Sequence, residues 1–96
     1  MKREETFKVE ETLIMETSFG PVGGPEKVNL EVTVGIKDDG DYGWFELYDI
    51  KTGGENWYAE GGLWFSGNKL VEYDGVFDLP SFITDKLEEW GYEIEL

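Results

Sequence analysis

The sequence predicts an α+β fold, an antiparallel β-meander of about five strands with one C-terminal α-helix packed on the sheet. Three observations carry that expectation. Residues 27–37 alternate apolar and polar without exception, turn signals recur between further alternating runs, and convincing helical spacing is confined to the stretch after Pro80.

In chain order, residues 6–18 (TFKVEETLIMETS) alternate imperfectly. Phe7, Val9, Leu13 and Met15 share one face and Glu11 interrupts it, so a first strand is expected with an irregularity near Glu10 and Glu11. Residues 19–25 (FGPVGGP) are rich in residues that break regular structure and read as a short loop between strands. Val28, Leu30, Val32, Val34 and Ile36 then alternate with polar neighbours, which predicts one buried and one wet face and a firm register, because a slip of one residue would expose all five.

DDGDYG, residues 38–43, is the next turn, and WFELYDIK, residues 44–51, the next strand. Phe45 and Leu47 lie on one face and Trp44, Tyr48 and Ile50 on the other, a pattern that predicts a central strand or one covered on both sides. After the turn TGGEN comes a strand over residues 57–65, with Trp57, Ala59, Leu63 and Phe65 in phase. Gly61 and Gly62 in its middle predict a bulge, a bend or a close backbone approach. Residues 66–69 (SGNK) close a hairpin into a strand at 70–74. Ile83, Leu87 and Trp90 fall at i, i+4 and i+7 and share a helical face with Leu79, while Asp85, Glu88 and Glu89 point away. Gly91 sits where a left-handed residue would end that helix, with Tyr92 placed to fold back on the last turn. The alternating residues 92–96 offer a short edge strand.

Ninety-six residues make one domain, 1–96, since a chain of this size buries only roughly 60 to 65% of the surface its unfolded form exposes. With 40% hydrophobic and 16% aromatic residues the chain holds a packed core, so its acidity does not signal disorder. It contains no cysteine, which fits a reducing cytoplasm. The N-terminal residues lack the apolar core of a signal peptide and no run is long enough to span a bilayer, so a soluble, cytoplasmic protein without membrane contact is expected.

The net charge is −14, and it is unevenly spread. Residues 1–37 hold seven acidic and five basic residues, net −2, whereas residues 38–96 hold fifteen and three, net −12. Such a field repels nucleic acid and anionic membrane and attracts basic surfaces at rates that fall with salt. The same acidity also supplies solubility, and charge alone does not separate the two roles.

The chain has no histidine and no cysteine, which removes the usual general base near neutral pH, the commonest metal ligand and the thiol nucleophile together. Ser18, Ser66 and Ser81 lie in no nucleophile-elbow pattern, and the double glycines lack the lysine and helix of a phosphate loop. A carboxylate pair for glycosidase-type chemistry needs a cleft and a raised pKa, which spacing alone does not supply. Asp38, Asp39 and Asp41 match only the start of a calcium loop, since the twelfth position counted from Asp39 is Ile50 where a glutamate is required. A non-enzyme without cofactor or bound metal is expected.

Four tryptophans and five tyrosines are many for this length, and core and cross-strand packing explains most of them. Trp64 is out of phase with Leu63 and Phe65, and it is expected on the opposite side with Tyr58 and Glu60, as an exposed anchor beside carboxylates unless the helix covers it. The expected partner-binding surface comprises the turn Asp38, Asp39 and Asp41, then Asp49, Glu60, Glu72, Asp74, Asp85, Glu88 and Glu89, with Tyr58 and Trp64. Glu72 and Asp74 should share one sheet face, with the outward helix acids as a second cluster nearby.

A very short acidic chain with no histidine or cysteine, a compact meander plus helix and no catalytic motif resembles the small inhibitor proteins carried by phages and other mobile elements, including anti-CRISPR proteins and DNA-mimicking anti-restriction proteins. The resemblance is to a class, and no family's functional residues map onto this chain. It implies a monomer or homodimer that blocks a basic nucleic-acid-handling protein, such as a CRISPR or restriction effector, without itself binding nucleic acid. The alternative is a non-catalytic structural or regulatory interaction module whose acidity mainly gives solubility.

Overall fold

The computed structural model describes residues 3–17, 20–37, 40–75 and 78–96, and over 13–17 and 20–26 the backbone alone. Among these residues, six strands and one helix follow the order β1 (Arg3–Thr17), β2 (Gly20–Ile36), β3 (Tyr42–Asp49), β4 (Tyr58–Ser66), β5 (Lys69–Gly75), α1 (Ser81–Glu89) and β6 (Glu93–Ile94). The strands form one sheet in sequence order, curved into a half-barrel with the helix packed against it. Five strands pair antiparallel as a meander, and β6, after the helix, joins β5 in parallel. The backbone N–H of Glu93 donates to Asn68 O at 2.7 Å and that of Glu95 to Leu70 O at 2.8 Å, which stitches the end of the chain to the β4–β5 hairpin.

The alternation of residues 27–36 is realised in full. Val28, Leu30, Val32, Val34 and Ile36 are all buried, joined by Phe45 and Leu47 from β3, Leu63 and Phe65 from β4, and Leu70 from β5. Ile83 and Leu87 complete this cluster from the helix, and both are 0% exposed. Fully burying side chains of this size is worth about 1.5–3 kcal/mol each, so this seam holds helix to sheet. Polar contacts at the rim support it. Lys86 pairs with Glu5 of β1 at 2.5 Å and lies 4.8 Å over the Phe7 ring, and the Arg3 guanidinium lies 4.6 Å over Trp90.

The helix stops as its sequence dictates. Gly91 takes φ +96°, a conformation that costs glycine nothing, and this lets the Gly91 N–H reach Glu88 O at 3.0 Å and the Tyr92 N–H reach Leu87 O at 3.0 Å. Tyr92 then packs its ring 4.7 Å from that of Phe65.

Several expectations need correction. Residues 20–25, expected as loop, belong to β2: the backbone keeps pairing with β1 through Thr17 opposite Gly20, and a register shift between Leu13 and Met15 absorbs the surplus residues of the glycine and proline segment. Phe19, at the start of that expected loop, lies outside the described residues. The irregularity therefore falls beyond Leu13 and not at Glu10 and Glu11, whose pairing with Asn29 and Val28 is unbroken. At Gly61 and Gly62 the β3–β4 register is continuous. Of the bulge, bend or close approach expected there, Gly61 provides the close approach, since a Cβ on it would sit 2.6 Å from Phe45 and 2.7 Å from Tyr73. The β4–β5 irregularity lies instead between Trp64 and Phe65. Of the two readings of residues 44–51, the central strand holds for β3: the helix covers only one of its faces, and Ile50, just past its end, is exposed.

A candidate protein-binding face

Strand alternation gives the sheet an inner face, closed by α1, and an outer face. On the outer face the register aligns short rows of side chains. Glu31, Tyr48 and Tyr58 lie side by side across β2, β3 and β4, as do Thr33, Glu46 and Glu60. Gly35, Trp44, Gly62 and Asp74 form the next row, and Tyr42, Trp64 and Glu72 the last. From Lys51 to Lys69 the sequence has no basic residue between, and none occurs from Lys37 to Lys51. The outer face of the two central strands therefore carries aromatic rings and carboxylates with no lysine or arginine among them.

The rings and acids are organised. The Tyr58 hydroxyl donates to Glu60 Oε2 at 3.0 Å and to Glu46 Oε2 at 3.3 Å, and the Tyr48 hydroxyl donates to Glu31. The hydrogen bond to Glu60, with some burial and the nearby charge of Glu46, pushes the Tyr58 phenol up to about 12. Tyr42 and Trp64 meet edge to face at 5.2 Å between centroids. Trp44 lies over Gly35, where a Cβ would come within 2.8 Å of the indole, and Trp64 lies over Gly62 at 3.0 Å. The bare backbone at Gly61 and Gly62 floors a depression of about 600 Å³, walled by Tyr42 and Trp44 and rimmed by Glu46, Glu60 and Asp74.

Of the residues expected to bind a partner, Tyr58, Glu60, Trp64, Glu72 and Asp74 come together here. Glu72 and Asp74 share the face, opposite Trp64 and Gly62. The helix covers the inner face, so it does not cover Trp64. Asp41 is exposed beside β3, and its carbonyl accepts from the Phe65 N–H at 2.9 Å. Asp38 and Asp39 lie outside the described residues. Asp85, Glu88 and Glu89 are exposed on the helix, but the helix sits against the inner face, so its outward acids point away from the outer face and are not the neighbouring cluster that was expected. Among them Glu89 pairs with Lys86 at 3.0 Å.

Asp49 must be removed from the surface set. It is 2% exposed, on the inner side at the end of β3. Its Oδ2 accepts from the Thr52 hydroxyl at 2.6 Å and the Thr52 N–H at 2.9 Å, and its Oδ1 from the Trp57 N–H at 3.1 Å. The Thr52 hydroxyl, working against burial and helped by these backbone donors, holds the carboxyl down at about 2. Asp49 is a charged clasp for the 50–57 turn. Its chain position among surface acids gave no sign of this, because the turn has to fold back before its donors converge.

Glu31, Tyr42, Trp44, Glu46 and Tyr48 belong to the outer face and were missing from the expected set. The signal was present in WFELYD, whose alternate positions are Trp44, Glu46 and Tyr48, but joining them to Tyr58 and Glu60 requires the β3–β4 register. Among the described residues no three acidic side chains converge as metal ligands, and no helix is long and apolar enough to cross a membrane. Comparison of the chain with protein-family models, with curated proteins and with solved structures finds no match.

Proposed function

We propose that this protein binds and blocks a basic nucleic-acid-handling protein by presenting carboxylates where that partner would otherwise hold phosphate. The observation that carries the reading is the outer face of β3, β4 and β5, where Glu46, Glu60, Glu72 and Asp74 stand among aromatic rings on a rigid sheet with no basic side chain on the two central strands. Duplex DNA carries one charge per about 1.7 Å of axis, and its binding proteins meet it with lysine and arginine grooves. A fixed array of acids with aromatic anchors is complementary to such a groove. The likeness to phage and mobile-element inhibitors points the same way and favours a CRISPR or restriction effector in the cytoplasm, bound by a monomer or homodimer. Acids on the helix, Asp85 and Glu88, are accounted for by solubility alone.

The test is capture of candidate effectors by the immobilised protein across a salt series, with DNA and heparin as competitors. Capture should be fast at low salt, weaken as the Debye length shortens from about 30 Å at 0.01 M to about 8 Å at 0.15 M, and be displaced by either polyanion. Affinity indifferent to salt and to both competitors would overturn the reading.

A further inference from the structure

We infer that the depression over Gly61 and Gly62 is a seat for an arginine side chain of the partner, an inference that rests on the proposed function and specifies its anchor. The outer face is the uncovered side of the sheet, and the character of this part of it selects its occupant. The depression is lined by two aromatic side chains, Trp44 and Tyr42, and by three carboxylates, Glu46, Glu60 and Asp74. A guanidinium is planar, weakly hydrated and forked, so it stacks on an indole while donating paired hydrogen bonds to carboxylates at its edge. An ammonium can sit over a ring and donate to carboxylates, but it has neither the flat face to stack nor the fork to pair its hydrogen bonds.

Charge complementarity is local as well as global. Glu46 and Glu60 are direct cross-strand partners, a placement that disfavours the free sheet because like charges oppose each other. Of the lysines that flank these strands, Lys69 is engaged elsewhere, 3.3 Å from Glu95. A cation entering between the strands would turn the repulsion of Glu46 and Glu60 into two attractions. Gly62 serves the same end. A side chain at 62 would press on the Trp64 ring at 3.0 Å and stand in the depression itself.

Nona-arginine, nona-lysine and nona-citrulline peptides titrated into the whole protein at fixed salt, followed by tryptophan fluorescence, test this directly. General acidity alone binds the two cationic peptides equally. The arginine seat predicts that nona-arginine binds at least about tenfold more tightly than nona-lysine, with no binding of nona-citrulline. Two variants locate the effect. Glu46→Gln with Glu60→Gln should erase the arginine preference, whereas Glu88→Gln with Glu89→Gln should keep it. Gly62→Val should lower nona-arginine binding and leave nona-lysine binding in place, and if its melting curve shows it unfolded, the glutamine pair decides alone. Equal binding of both cationic peptides, or a preference that survives the Glu46 and Glu60 changes, would sink the arginine seat while salt-dependent capture of a basic effector left the proposed function standing. Failed capture with an intact arginine preference would do the reverse.

Discussion

Glu46 and Glu60 face each other directly across the β3–β4 ladder, and the Tyr58 hydroxyl hydrogen-bonds to both carboxylates. Opposed like charges destabilise a sheet, so the arrangement we propose to receive a cationic partner also weakens the free protein. Glu60→Lys converts the pair into one of opposite sign. It should raise stability by about 0.2–1 kcal/mol, read as a higher urea midpoint, while lowering affinity for a basic partner. A Glu60→Lys protein that is both less stable and equally well bound would contradict this account of the face.

The ion pair between Lys86 and Glu5 makes the N-terminal acids unequal. Glu4 is exposed and faces outward beside Gly35, whereas Glu5 pulls the Lys86 ammonium across β1 and, ahead of Glu89, raises its pKa. Glu4→Lys should leave the melting temperature where it is. Glu5→Lys should lower it, because a second cation then meets Lys86, and added salt should narrow the gap between the two variants. For this reason Glu5 does not serve as a silent control in binding experiments, and neither does Glu4, which stands on the outer-face row of Gly35 and Trp44.

Leu87 is wholly buried at the centre of the helix contact. Leu87→Ala removes that contact and should cost about 2–5 kcal/mol in equilibrium unfolding. An unchanged denaturant midpoint would mean that the helix does not depend on this seam.

Asp49 predicts a pH dependence of its own. A carboxyl whose folded pKa lies below its unfolded value stabilises the fold above the unfolded pKa, here ordinarily 3.8, and that contribution is lost as pH falls through about 4 to about 2. Asp49→Asn should therefore be less stable than the parent at neutral pH, and the difference should shrink over this window. Melting curves of both proteins from pH 7 to pH 2 would show it, and a constant offset at all pH values would refute it.

The sequence disclosed the local rules and concealed the pairings. Val28 to Ile36 alternate so strictly that one face had to be buried, and Gly91 followed by Tyr92 announced the helix stop, because both signals reside in neighbouring residues. The glycine and proline segment 20–25 misled for the same reason. Local breaker chemistry argued for a loop, while pairing to β1, a contact with residues up to Glu16 and Thr17, held it as strand. Asp49 misled because its donors, Thr52 and Trp57, converge only after the turn closes. Half of the outer face was legible, as Tyr58, Glu60 and Trp64 on one side of one strand. The other half, Trp44, Glu46 and Tyr48, needed the knowledge of which residue stands opposite which.

The late position of the helix has a consequence in time. The strands that build the apolar inner wall are complete by Gly75, whereas the segment that closes it is Ser81–Glu89. On a ribosome adding about 5–20 residues per second, Val32, Phe45 and Leu63 are present for an interval before their cover exists. Until the following residues coil and dock, the sheet is a sticky surface, and its fate depends on how quickly they do so. Substitutions near Gly91 that delay the helix stop should thus reduce the yield of protein from the cell more than they reduce the stability of the molecules that survive synthesis.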